Sequence, residues 1–421
     1  MDKINKIINH LENGEHEAAL KGYTEILKNG TNDERLILGE ELFQYGFIEE
    51  AKKLLEILLD IYPEEGEILV TLAEILVEQG NEDEALETLG KIKEDDPSYP
   101  QSLLLQADIY LMEGLFEVSE QKLLEAKRTL PNEVIIDFAL GELYLEQGRF
   151  IEAIRAYELV LSAQEVLGGV NIHQRLGDAF SAGGAFEKAL PHYERALEES
   201  LEINTLFQYA FTAFQAGMNK TAIEKFTELK ELDPEYHSLY LFLAKAYERE
   251  EELAKGYEAI QEGLHYDEYN KELFFYGGKL ALKLGKEADA EQLLRQALVL
   301  DSEYIEAGLT INKLFLHQQR YEDVLEIIEL FGANEMEEPQ VLWDEAVALQ
   351  HLEKYSQALN KYQLAYNFLK HDIDFLSDYG YFLLEEGKRE EAAEIFNKLL
   401  KKDPSNGEYE ELLQRLTDDL L

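Results

Sequence analysis

Carboxylates in a repeating column are the first candidates for chemistry in this sequence. Glu40, Glu74, Asp108, Glu142 and Asp178 stand at steps of 34, 34, 34 and 36 residues, and after Phe211 the column continues as Lys245, Lys279 and Lys313. A carboxylate can act as a general acid or base, bind a hard cation, or form a docking face for positive charge. Adjacent pairs such as Asp95 and Asp96 are unavoidable in a chain with 87 acidic residues, so none of them marks an acid/base site. The nine histidines are scattered, with no ligand pair four residues apart on one helix. His317 and His351 share a slot in adjacent segments, which puts them about 10 Å apart, too far to share a metal without movement. There is no cysteine, so thiolate metal sites, cysteine nucleophiles and disulfides are excluded. A phosphate-cradling glycine loop with lysine, a Gly-x-Ser-x-Gly elbow and a His-Glu-x-x-His motif are also absent. The expectation is therefore a protein with no catalytic residues, no metal and no cofactor.

The composition narrows the partners. The balance of 39 basic against 87 acidic residues gives a net charge of −48. Most of such a surface repels phosphate backbones and anionic lipid and attracts basic proteins. Direct nucleic-acid binding and membrane insertion are not expected. The opening residues lack a secretory apolar run, and no stretch of 18 apolar residues occurs, so a soluble cytoplasmic protein is expected.

What positions the charged column is a recurring corner. In "YLEQGRFIEAIRAYE" (residues 144–158), helix-like apolar spacing runs up to Gly148 and resumes after it. The same Gly, followed five residues later by Ala, returns as Gly14, Gly46, Gly80, Gly148, Gly184, Gly217, Gly285 and Gly387; Gly114 is followed by Ser119. Glu251, Gln319 and Glu353 hold the corner where Gly is missing, and the step is 34 residues except for 32, 36 and 33 at three joints. Seven residues before the corner stands a small residue, among them Gly39, Ala73, Ala107, Gly141, Gly177 and Ala244, which allows two helices to approach closely. Seventeen residues after it, Pro63, Pro97, Pro131, Pro234 and Pro404 end a second helix. Each unit reads as helix, tight turn, helix, stop.

This register of small residue, Gly, Ala, aromatic and Pro over 34 residues resembles the tetratricopeptide repeat, over nearly the whole chain. The segment "GELYLEQGRFIEAIRAYELVL" (residues 141–161) carries the likeness most clearly. The resemblance implies an all-α fold, a right-handed solenoid or superhelix of about twelve helix-turn-helix repeats. Residues 405–421 read as a C-terminal capping helix, with Tyr409, Leu412, Leu413 and Leu416 on one face. Residues 1–163 form repeats with an acidic groove. Residues 164–404 form the remaining repeats, with a basic groove segment from about residue 238. The joint between them carries Gly168 and Gly169, read as a loop insertion or a hinge. Pro191 falls near the start of a second helix, where a missing N–H is tolerable.

In the resembled family the first helix of each repeat lines a concave surface, which assigns the columns. Leu36, Val70, Leu104, Phe138, Phe207, Phe275 and Trp343, ten residues before the corner, and Phe43 and Phe214, three before it, are expected as apolar groove walls. Glu40, Glu74, Asp108, Glu142 and Asp178 would form an acidic N-terminal stretch. Lys245, Arg249, Lys279, Lys283, Lys313, His317 and His351 would form a basic C-terminal one. The charged column lacks the Asn that the family's chaperone-tail clamp uses, so chaperone C-termini are not expected ligands.

The function these features imply is a non-catalytic scaffold or adaptor that holds a protein or peptide, with a basic segment, in a bipolar groove. The other reading is a regulatory receptor for a short peptide signal. Because Ile4, Ile7, Ile8 and Leu11 already open the first repeat, such a receptor would lack its own DNA-binding domain. Complementary groove ends also admit head-to-tail self-association.

Overall fold

The computed structural model describes residues 2–331 and 337–418. In that range twelve helix pairs follow one another, closed by a further helix, Gly407–Asp418. The chain is an all-α tetratricopeptide-type solenoid, with one two-residue-stranded hairpin as its only described sheet. By compactness it divides into two units, Met1–Gln208 and Tyr209–Leu421.

The corners have one cause throughout. Backbone φ is positive at Gly14, Gly46, Gly80, Gly114, Gly148, Gly184, Gly217, Gly285 and Gly387, with values of 70° to 79°. At Gly148 the amide donates to Leu145 O at 3.0 Å and the next amide, Arg149, reaches back to Tyr144 O at 2.8 Å. These bonds satisfy carbonyls that the ending helix leaves free, and they need a left-handed residue between them. Glu251, Gln319 and Glu353 adopt the same conformation, at φ 61°, 58° and 58°. A side chain there costs about 1 kcal/mol relative to Gly. Glu251→Gly and Gln319→Gly are each expected to raise the unfolding free energy by up to about 1 kcal/mol in urea titrations. Gly80→Ala is expected to lower it by a similar amount.

Between corners, the small residue on the first helix receives the second. A Cβ added to Gly177 would lie 2.7 Å from the Tyr193 ring, and one added to Gly141 would lie 2.5 Å from that of Tyr157. Tyr157, Tyr193, Phe226, Tyr362 and Phe396, nine residues after their corners, are fully buried or nearly so. The closing helix buries Leu416 and packs Tyr409 and Leu412 on the last repeats. Pro191 is the sixth residue of Phe186–Glu199, past the first turn, so its helix gives up one backbone bond that the sequence reading had not charged to it.

The joint at Gly168 and Gly169 is a hairpin pairing Val166–Leu167 with Val170–Asn171. Asn171 accepts the Gln174 amide at 3.2 Å, capping the next helix, and donates to Glu199 at 2.7 Å. Arg195 pairs with Glu165 at 3.5 Å. Both ends of the insertion are thus tied to Phe186–Glu199.

The repeat with its corner at Gln319 departs from the packing rule, as does the first, where Ile7 fills the small-residue slot. Asn312 occupies the small-residue slot, fully buried, beside Asp344, which is 3% exposed and accepts from Gln340 Nε2 at 2.9 Å. Burial pushes the Asp344 carboxyl up to about 6, against the opposing pull of Gln340 and Lys313. A folded-state value above the unfolded one means a contribution that is present in acid and lost as pH rises through about 6. Asp344→Asn is therefore expected to stabilise the chain by up to ~2 kcal/mol at pH 7.5, by about half of that at pH 5 and by almost nothing near pH 3.5, read by urea denaturation at all three.

Candidate functional site

The site is built on three consecutive first helices of the first unit: Gly66–Glu78, Tyr99–Met112 and Val134–Glu146. Glu74, Asp108 and Glu142 share one slot on them, and with Leu104, Leu111 and Phe138 they line a single recess of about 320 Å³. Two columns of apolar residues and one of acids thus meet on one surface, because the slots ten, six and three residues before the corner lie on one face of a 3.6-residue helix.

The five acids divide into two kinds. Glu142 accepts from the buried Tyr157 hydroxyl at 2.6 Å and pairs with Arg175 at 3.1 Å. Asp178 accepts from Tyr193 at 2.9 Å and lies 3.7 Å from the same arginine. These two are braced against the second helices. Glu40, Glu74 and Asp108 have no cation among the groups that act on them. Burial raises the Glu40 carboxyl, and Glu67, Glu41 and Glu74 raise it further. It also raises Glu74, opposed by a hydrogen bond from Gln101. Asp108 is pushed up to about 6, by burial alone. Asp108 is nonetheless an exposed residue of the recess lining, so the surrounding protein disfavours its charge while solvent still reaches and screens it.

Of the expected walls in the first unit, Leu36, Phe43, Leu104, Phe138 and Phe207 are half-buried. Val70 is only 1% exposed and belongs to the core of its repeat, not to a wall. Phe214, in the second unit, is 5% exposed and is capped by the Arg249 guanidinium, 3.7 Å from its ring.

The basic residues of the second unit are also sorted by their neighbours. Arg249 Nη1 donates to the Phe214 carbonyl at 2.8 Å, and Lys283 pairs with Glu248 at 2.5 Å. Lys245 and Lys279 stand over aromatic rings. Lys313 and His317 are exposed, and His351 stacks on Tyr321 with ring centroids 4.4 Å apart. Phe275 packs on Tyr304, and Trp343 Nε1 donates to Asp378 at 3.0 Å. Among the described residues no group of three or more His, Asp or Glu side chains is placed to hold a metal, and no helix is long and apolar enough to cross a membrane.

Sequence reasoning missed Arg175, which neutralises the far end of the acidic column, and Gln101, which borders Glu74. It also missed that Tyr157 and Tyr193 hold the acids of their own repeats. A signal was present: Gly141 and Gly177 each coincide with Tyr in the second helix and an acid one residue further along the first.

A chain of such helix-turn-helix repeats defines a tetratricopeptide-repeat protein. Residues 42–109 match a general tetratricopeptide-repeat family, residues 112–165 the YpiA-like tetratricopeptide repeats and residues 339–406 the YpiA-like C-terminal tetratricopeptide repeats. The chain is 43% identical over 416 residues to the TPR repeat-containing protein YpiA of Bacillus subtilis (strain 168), covering 99% of this chain and 98% of that one. It belongs to the YpiA-like tetratricopeptide-repeat family. Among solved structures, it is similar to a tetratricopeptide repeat protein from Parabacteroides merdae ATCC 43184, with TM-score 0.42, 16% identity and coverage of 63% and 98% of the two chains. It is similar also to the Cut9–Hcn1 hetero-tetramer of the APC/C, with TM-score 0.36, 13% identity and coverage of 97% and 95%.

Proposed function

We propose that this chain is a non-catalytic interaction scaffold whose first unit takes a basic, amphipathic protein segment in the trough around Asp108. The observation that carries the reading is the recess in which Glu74 and Asp108 face open space without a cation, beside Leu104, Leu111 and Phe138. A desolvated carboxylate is an unfavourable feature of a free protein, and an incoming ammonium or guanidinium relieves it. The apolar flank would supply affinity, and the net charge of −48 would speed the encounter with a basic partner. Glu142, already braced by Tyr157 and Arg175, lines the same recess.

The test is a native-extract pull-down and a titration with a labelled Lys-Leu amphipathic peptide, comparing wild type with Glu74→Lys/Asp108→Lys/Glu142→Lys. The control reverses Glu84, Glu117 and Glu158, which are exposed on second helices. Partners and peptide affinity lost in the first variant and kept in the second support the trough. Equal losses in both reduce the effect to overall charge.

A further inference from the structure

A second binding feature lies in residues 209–421, independent of the carboxylate trough. We infer that Lys245 and Lys279, whose ammoniums lie over the buried ring of Tyr276, form a clamp for side-chain carboxylates of an acidic peptide segment.

The geometry begins with that ring. Lys245 Nζ lies 5.5 Å from the Tyr276 centroid and Lys279 Nζ lies 5.3 Å from it, so two ammoniums from consecutive first helices, Ser238–Arg249 and Lys271–Lys283, converge on one face of the protein. Each ammonium also meets a second ring, Phe242 at 5.3 Å and Phe275 at 5.5 Å respectively. Ring faces carry negative quadrupole charge and hold cations in place without neutralising them. The lysines are half-buried, so an anion arriving there interacts in a medium less screening than bulk water.

The surrounding charges leave the pair open. Of the carboxylates nearby, Glu248 accepts from the Tyr276 hydroxyl and is paired with Lys283 at 2.5 Å, and Glu272 acts on Lys245 from beyond ion-pair distance. Arg249 spends its guanidinium on the Phe214 carbonyl and ring. Neither Lys245 nor Lys279 has an ion pair within 4 Å among the described residues, although acids outnumber bases 87 to 39 in the chain. Burial lowers the Lys245 ammonium from its ordinary range and Lys279 lowers it further, with Glu272 opposing. Two unneutralised cations held together on aromatic supports are a mutual cost that an anion removes.

The chemistry of that anion follows from the setting. A polyanion such as nucleic acid would bring charge against the rest of a surface at −48. A short segment with one or two carboxylates needs only the local pair. Lysines are point charges without the guanidinium fork that matches phosphate, and the flanking rings of Phe242 and Phe275 suit the methylene stem of Glu and apolar neighbours in the same peptide. The ligand class is therefore an acidic segment interleaved with apolar residues.

The test uses the full chain and two fluorescein-labelled probes, the dodecapeptide (Leu-Glu-Glu-Leu)₃ and its Gln-for-Glu counterpart, read by anisotropy at low salt. Wild type is expected to prefer the Glu peptide, with about tenfold affinity lost for each of Lys245→Gln and Lys279→Gln and partial recovery in Lys279→Arg. Lys255→Gln, at a lysine paired with Glu252 on a second helix, should leave the preference intact. Thermal melts confirm that the variants fold. Equal affinity for both peptides in wild type, or a preference that survives in Lys245→Gln/Lys279→Gln, overturns the clamp. A low-salt dimer in sizing runs that the double variant abolishes overturns it too, in favour of a second copy of this chain as occupant. Trough reversal at Glu74, Asp108 and Glu142 should not alter the Glu-peptide preference, which separates failure of this site from failure of the first.

Discussion

Gly141→Leu is expected to lower the unfolding free energy by about 3 kcal/mol or more, among the largest effects open to a single substitution in the first unit. The first added carbon alone would lie 2.5 Å from Tyr157 Cε1 and 2.8 Å from Cδ1. Tyr157 has no room to yield, being fully buried, and its hydroxyl is bonded to Glu142 at 2.6 Å. Overpacking of a rigid core typically costs 1–3 kcal/mol, and ejecting the ring adds the loss of a charge-assisted bond to a trough carboxylate. The measurement is urea unfolding followed by helical circular dichroism. Because repeats are stabilised by their neighbours, the variant should also broaden the transition. The double variant Gly141→Leu/Tyr157→Ala separates the causes: coupling of opposite sign to the single losses shows that the two side chains compete for one space. An unchanged midpoint in Gly141→Leu would show that the helices are not held at this distance. Gly114→Ala provides the contrast, since no atom lies within 4 Å of its added Cβ and only its φ of 72° is strained. There the loss should be about 1 kcal/mol.

That contrast also shows which features a sequence makes legible. Corner and contact glycines have the same letter but different periodic partners: Gly148 is followed by Ala153, whereas Gly141 is paired with Tyr157. Register therefore distinguishes a backbone requirement from a packing one. The corners at Glu251, Gln319 and Glu353 were legible for the same reason, although no propensity favours Glu or Gln at positive φ. Periodicity likewise placed Glu74, Asp108, Leu104 and Phe138 on one face, and the structure brings them to one recess. What periodicity does not encode is contact between different slots. Arg175 sits three residues before Asp178 and reaches back to Glu142 in the preceding repeat, so the acidic column ends earlier in energetic terms than it does in letters. Val70 and Phe214 share their columns with half-buried residues yet are buried, because burial depends on what the next repeat places over a position.

The trough prediction follows from that sorting, and pH is its most discriminating variable. Asp108 has a folded value of about 6, above the ordinary carboxylate range, and burial shifts Glu74 and Glu40 in the same direction. Below that value Asp108 is protonated and offers no charge; above it the charge is present but poorly solvated. A bound ammonium or guanidinium stabilises only the ionised form, so binding must release protons at mildly acidic pH. Affinity for the Lys-Leu peptide is thus expected to rise between pH 5 and pH 7, by up to about tenfold per unit for each group still titrating, and then level off. Asp108→Asn should flatten this rise and weaken binding at pH 7.5 by about tenfold, the scale of one charge-assisted contact. It should also stabilise the free protein, because it removes a carboxylate that burial disfavours; with water at its tip screening the group, the gain is about 1 kcal/mol. Opposite signs for stability and binding distinguish a docking carboxylate from one that holds the fold together. Glu74→Lys/Asp108→Lys/Glu142→Lys carries the argument further, replacing attraction by repulsion at three slots, with an expected loss of about 100-fold. A pH-independent affinity, or an Asp108→Asn protein that is less stable yet binds unchanged, would assign these acids to solvation of the surface alone.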